Sequence, residues 1–313
     1  MFNAKDYDEL KFVMKKMMQK IALAAVMLLL AATIAGADEV DRALSDIASP
    51  VVVQSTRGLI ESGLASERAL AVTRAMVQNR FQEKQIVKAH QVLLKAQTKG
   101  LPPDPIINKA FEGMAKQVES GRIVSAMDAV QARYDFAFKQ AAKLSGRKSQ
   151  MSQTGHVIAA CLTAGLSSKG IESITNELQQ RSRTMKAEPL DALALETFKT
   201  ARDIARLGVS PSQAAALIGR ALQHRFSAAQ MQNMRVAFRN DSRTTAPRSL
   251  ALSYGRSIEQ GKSFEGPEGG QMGENHGSGS TGAAGSGSGG PGGGGGSGGS
   301  GPGGGHGGGG SGK

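Results

Sequence analysis

Four times along this chain a glycine is followed by Leu or Val, a short Ser- or Pro-containing stretch, and then a helical pattern. The four openings are Gly63-Leu64, Gly100-Leu101, Gly165-Leu166 and Gly208-Val209. Apolar or small residues recur after each glycine at offsets that place them on one side of a helix, which gives each segment a single buried face. After Gly63 they are Ala69, Val72, Thr73, Met76 and Val77; after Gly208 they are Ala214, Leu217, Ile218, Ala221 and Leu222. After Gly165 they are Ile171, Ile174, Thr175 and Leu178, with Gln179 breaking the rule. After Gly100 the stripe is read one residue late, at Ile107, Ala110, Phe111, Met114 and Ala115, with Asp104 as N-cap and Pro105 as first helical residue.

Two of these helices end alike, in Gln78-Asn79-Arg80-Phe81 and Gln223-His224-Arg225-Phe226. A second helix follows each: Ile86, His90, Leu93 and Gln97 share a face in one, and Met231, Met234 and Phe238 in the other. Ser210 with Gln213 and Ser227 with Gln230 have capping-box spacing. A long stripe, Met127, Val130, Tyr134, Phe138 and Ala141, follows Gly121; another, Leu190, Leu193, Phe198, Ala201 and Ile204, follows Pro189.

The pattern predicts an all-α fold, an irregular array of stacked helical hairpins (a bundle or short superhelix) with a disordered C-terminal tail. The hairpins span 63–99, 100–144, 165–207 and 208–240, with further helices near 50–62, 153–164 and 247–260. One hairpin cannot hide its apolar face alone, so neighbours must stack. Glycine spacings of 37, 65 and 43 residues are too uneven for a regular solenoid. Repeated units and independent hairpins sharing a glycine cap both fit.

Residues 1–37 have the layout of a signal peptide: Lys15, Lys16 and Lys20, an apolar run from Ile21 to Ile34, then Ala35-Gly36-Ala37 ahead of Asp38. Met14 begins a more ordinary signal and is an alternative start. The apolar run would span about 21 Å as a helix, short of a ~30 Å hydrocarbon core. The expected mature chain is exported, periplasmic or extracellular, with no permanent membrane span. Its one cysteine, Cys161, permits no intramolecular disulfide.

Residues 38–265 form the expected helical domain and hold 32 Lys and Arg against 21 Asp and Glu. Such an excess favours anionic partners. Arg235, Arg239, Arg243, Arg248 and Arg256 are the candidate contacts, and Arg181, Arg183 and Lys186 form a smaller group. Residues 266–313 form the expected tail; from Gln271 onward 24 of 43 residues are glycine, too little apolar surface to offset ordering entropy.

No chemical motif emerges. Cys161 lies in an apolar helical stretch as an inert packed thiol, and His90 on an inner stripe reads as a packed histidine. The five histidines show no metal-ligand spacing, Glu112 with Glu119 is an unremarkable carboxylate pair, and no cofactor is implied. Three functions remain open: an envelope interaction or scaffold protein binding a protein partner, a binder of anionic lipid or polysaccharide, and an enzyme without a recognisable motif. Export makes nucleic acid an unexpected partner.

Overall fold

A computed structural model describes residues 39–262 and Phe264. They belong to the first of two units into which the chain divides, Met1–Gly270; the second, Gln271–Lys313, lies outside the described residues. The expected signal peptide and glycine-rich tail therefore also lie outside them.

The described residues are all-α, with no strand among them. A short helical stretch at 39–44 precedes α1 (Pro50–Glu61), α2 (Ser66–Gln78), α3 (Glu83–Thr98), α4 (Asp104–Ala115), α5 (Ser120–Ala142) and α6 (Lys148–Thr163). Then come α7 (Ser168–Ser182), α8 (Ala187–Arg206), α9 (Pro211–Gln223), α10 (Ala228–Asp241) and α11 (Pro247–Glu259).

The four opening glycines all take positive φ, from 66° at Gly100 to 101° at Gly165. A side chain is strained in that region, so glycine closes the preceding helix at little cost. The next residue turns inward: Leu64, Leu101, Leu166 and Val209 are all buried. The Leu64, Leu101 and Leu166 N–H groups donate to Leu59, Ala96 and Cys161 carbonyls at 2.9–3.1 Å, closing the Schellman motif. The matched endings use the same device without glycine. Arg80 (φ 59°) and Arg225 (φ 60°) stand left-handed, and so does Gln117 (φ 53°). Phe81, Val118 and Phe226 then donate back to Met76, Gly113 and Ala221, each at 3.0 Å.

Helices pack chiefly on the second helix along rather than on the next. One layer runs α1, α3, α5, then α6, α8, α10; the other holds α2 and α4, and separately α7, α9 and α11. Alternation slips at α5, whose 23 residues place α6 beside it in the same layer. Two cores result. One extends from Val52 to Phe138, the other from Ala137 to Ile258, so the end of α5 serves both. Gly155 of α6 permits the close approach there: a Cβ on it would lie 2.6 Å from Phe138 Cδ2.

Local expectations change in three places. α4 begins at Asp104, with Pro103 as N-cap and no side-chain cap bond. Of its expected stripe Ile107, Ala110 and Met114 are buried and Phe111 is half-buried against the same core, while Ala115 is exposed and Ile106 is buried besides. Gly113 also faces inward, with Ile123 Cγ1 2.7 Å from where a Cβ would stand. The helix expected near 153–164 starts at Lys148. Finally, Ser227 and Gln230 complete a capping box. Ser210 also caps Gln213 N–H at 3.4 Å, but its hydroxyl then donates to Gln213 Oε1, so that box is half made.

Candidate functional site

The five arginines nominated as one anionic contact surface divide into two groups. Arg235 and Arg239 of α10 face α8. Arg235 Nη2 donates to Glu196 Oε2 at 2.8 Å, Arg239 Nη2 to Asp203 Oδ2 at 3.2 Å, and Arg235 Nη1 lies 3.9 Å from Asp203. Lys199 and Arg202 share these carboxylates at 2.7 and 2.8 Å. Asp203 is buried, so its charge needs these partners. This network fastens α10 to α8; Arg235 is largely buried in it, while the Arg239 side chain remains 57% exposed.

Arg243, Arg248 and Arg256 are exposed and make no ion pair among the described residues. Arg248 borders a shallow groove of about 370 Å³ with Gly208, Ser210, Ser212 and Gln213, at the N-terminus of α9. The Ser212 hydroxyl, a helix N-terminus and a guanidinium are groups that receive an anion, whereas the Ser210 hydroxyl is bonded to Gln213. In the smaller basic group, Arg181 is spent internally, donating from Nη1 to the Leu222 carbonyl at 3.1 Å and so capping the end of α9. Burial, and then the neighbouring Arg225 charge, draw its pKa below the usual arginine value. Arg183 borders a second groove, about 520 Å³, with Asn176, Gln179, Gln180 and Ser182.

His90 is buried and ties three helices together. Thr73 donates its hydroxyl to the Ala69 carbonyl at 2.8 Å, so it accepts from His90 Nε2–H at 3.0 Å. That tautomer leaves Nδ1 to accept from the Ser55 hydroxyl of α1. Burial lowers the His90 pKa to about 4, so the ring is neutral near pH 7. Ser55, Thr73 and His90 thus form a polar clasp of two hydrogen bonds.

Cys161 is buried, its thiol donating to the Phe198 carbonyl at 3.2 Å, and burial raises its pKa to about 12. The carboxylate pair divides. Lys116 and Lys109 hold Glu112 to about 2, whereas Glu119 is kept low by accepting from Gly121 N–H at 2.7 Å and Arg122 N–H at 2.9 Å, the cap of α5. Neither is a carboxyl poised to give up a proton near neutrality. No group of three or more metal-ligating side chains occurs among the described residues. No helix there is long and apolar enough to cross a membrane.

Sequence reasoning did not find Arg147 with Asp191, the Glu196–Asp203 network, or Gly113 and Gly155 as packing sites. The acidic members sit on the polar-looking edges of the α8 stripe, and nothing in the spacing marks them as buried. A layered all-α array with exposed basic edges is the class that fold and surface define. No family model matches the chain, and none of the curated proteins is significantly similar to it.

Proposed function

We propose that this chain is a non-enzymatic, exported interaction or scaffold protein of the cell envelope, presenting its stacked-helix surface to a protein partner. The observation that carries the reading is the division of labour among its polar groups. Arg181, Arg235, Glu196, Asp203, Cys161 and His90 bond within the stack, while Arg243, Arg248 and Arg256 stay exposed. Export rests on the layout of residues 1–37. Mass spectrometry of the chain recovered outside the cytoplasm should find Asp38 at the N-terminus. Capture of the tagged chain from an envelope extract should then retain one partner in constant ratio. An intact N-terminus in the cytosolic fraction, or no partner at constant ratio, would overturn the reading.

A second reading, binding of an anionic lipid or polysaccharide, is favoured by the groove beside Arg248. Its affinity would fall steeply as salt rises, because exposed charges are screened over about 10 Å at 0.1 M. Arg248→Ala should weaken retention on anionic vesicles; retention indifferent to salt would remove this alternative.

A further inference from the structure

The four most exposed large aliphatic side chains among the described residues are Leu252 (52%), Val51 (51%), Ile47 (48%) and Val236 (41%). All four stand at the ends of the layers. Val51 is on α1 and Ile47 just before it; Val236 is on α10 and Leu252 on α11, the last helix of each layer. An inner helix of such an array has a helix on both sides, whereas an end helix lacks one. On the α1 side the short 39–44 stretch covers part of the flank, Val40 and Leu44 packing on Val53 and Leu70 and Asp41 pairing with Arg57, and it leaves Ile47 and Val51 exposed. The flank of an end helix is ordinarily polar in a stacked-repeat protein that stays monomeric.

The two flanks are also opposite in charge. On α1 the exposed line runs Val51, Gln54 and Glu61, and residues 39–62 carry Glu39, Asp41, Asp46 and Glu61 against Arg42 and Arg57. On α11, Arg248, Leu252 and Arg256 are spaced four apart, so they share one exposed face; on α10, Val236 lies among exposed Arg239, Asn240 and Arg243. Arg235 is tied to Glu196 and Arg239 to Asp203, which leaves Arg243, Arg248 and Arg256 on this flank without an ion pair among the described residues. The acids of residues 228–262 are Asp241 and Glu259, the latter paired with Arg220.

We propose that the two flanks are the halves of one interface, the α10–α11 end of one copy seating on the α1 end of a second copy. Aliphatic side chains meet aliphatic ones, and arginines meet Glu39, Asp46 and Glu61. Pairing of like ends would instead set arginines against arginines or carboxylates against carboxylates. The contact is head-to-tail and leaves a free end on each side, so it builds open chains that lengthen with concentration. It is independent of which partner the remaining surface binds.

Sedimentation velocity of the full chain over a range of concentrations tests this directly. Average mass should rise with concentration and fall back when salt is added. Val51→Arg blocks one end and Leu252→Glu the other, so each variant alone should stay monomeric with an unchanged helical circular dichroism spectrum. Mixed in equal amounts they should form dimers and stop there, since each retains one working end. Lys84→Glu with Lys88→Glu, on the exposed face of α3 within the stack, should leave association unchanged. Should either end variant lose its helical spectrum, Val51→Ser and Leu252→Ser replace them, each expected to weaken association about tenfold. A wild-type chain monomeric throughout, or a mixture that forms no dimers, would overturn the proposal. So would an outcome in which only one of the two end variants loses association while the other still associates like the wild type.

Discussion

Asp191 is buried in α8, and its Oδ2 accepts from Nε of Arg147 at 3.0 Å and from the same guanidinium's Nη2. Arg147 is the N-cap residue of α6, 44 positions earlier, so one two-pronged bond fixes how α6 sets down on α8. Removing the guanidinium leaves a carboxylate that water reaches poorly. Arg147→Ala is expected to destabilise the fold by about 1–3 kcal/mol, the lower part reflecting the arginine's own partial exposure. Urea denaturation monitored by circular dichroism measures it; no change in midpoint would show that the pair contributes nothing.

The helical glycines should divide by what surrounds them. Alanine is favoured over glycine inside a helix by about 1 kcal/mol. At Gly58 and Gly219 an added Cβ meets nothing within 4 Å, so Gly58→Ala and Gly219→Ala should raise the melting temperature. At Gly155 the methyl would press on Phe138 at 2.6 Å, and overpacking costs about 1–3 kcal/mol. Gly155→Ala should therefore lower it. Equal shifts at all three would show that the seam between α5 and α6 is loose.

Acid should loosen the clasp around His90. Its folded pKa is about 4 against an ordinary 6.5, so the unfolded chain binds a proton more readily than the folded one. The stability it confers is complete above pH 6.5 and is lost as pH falls from there through about 4, at most about 3 kcal/mol. Below that no more is lost from this group. Denaturation midpoints at pH 7.5, 5.5 and 4 should show the decline, and His90→Gln should flatten it. A decline of the same size in the variant would assign the acid sensitivity to other groups.

Cys161 should be silent in the native protein. A buried thiol with its pKa raised to about 12 is scarcely ionised at pH 8, and the thiolate is the reacting form. Ellman's reagent should therefore label it only in denaturant. Prompt labelling of the folded chain would mean that α6 and α8 part readily.

The helices were legible because they are written in short-range terms. Gly63, Gly100, Gly165 and Gly208 all stop a helix, and the residues counted from Gly63 and Gly208 are buried except for Val77, which is half-buried. After Gly100 the stripe held at Ile107, Ala110 and Met114 but missed Ile106 and Gly113, because a glycine has no apolar side chain to mark it as a packing surface. The arginines were harder still. Arg235 and Arg256 look alike in sequence, yet one is held by Glu196 and the other is exposed, a distinction set by α8, some forty residues from Arg235.

The sequence alone determined where helices start, where they stop and which stripe each must hide, since those depend on φ preferences and a 3.6-residue period within a few positions. Tertiary structure decided which helices became neighbours, that α6 joined the layer of α5, and which charges were consumed in holding the layers together. Those outcomes depend on the shape and charge of surfaces brought together from distant parts of the chain, and no local spacing encodes them.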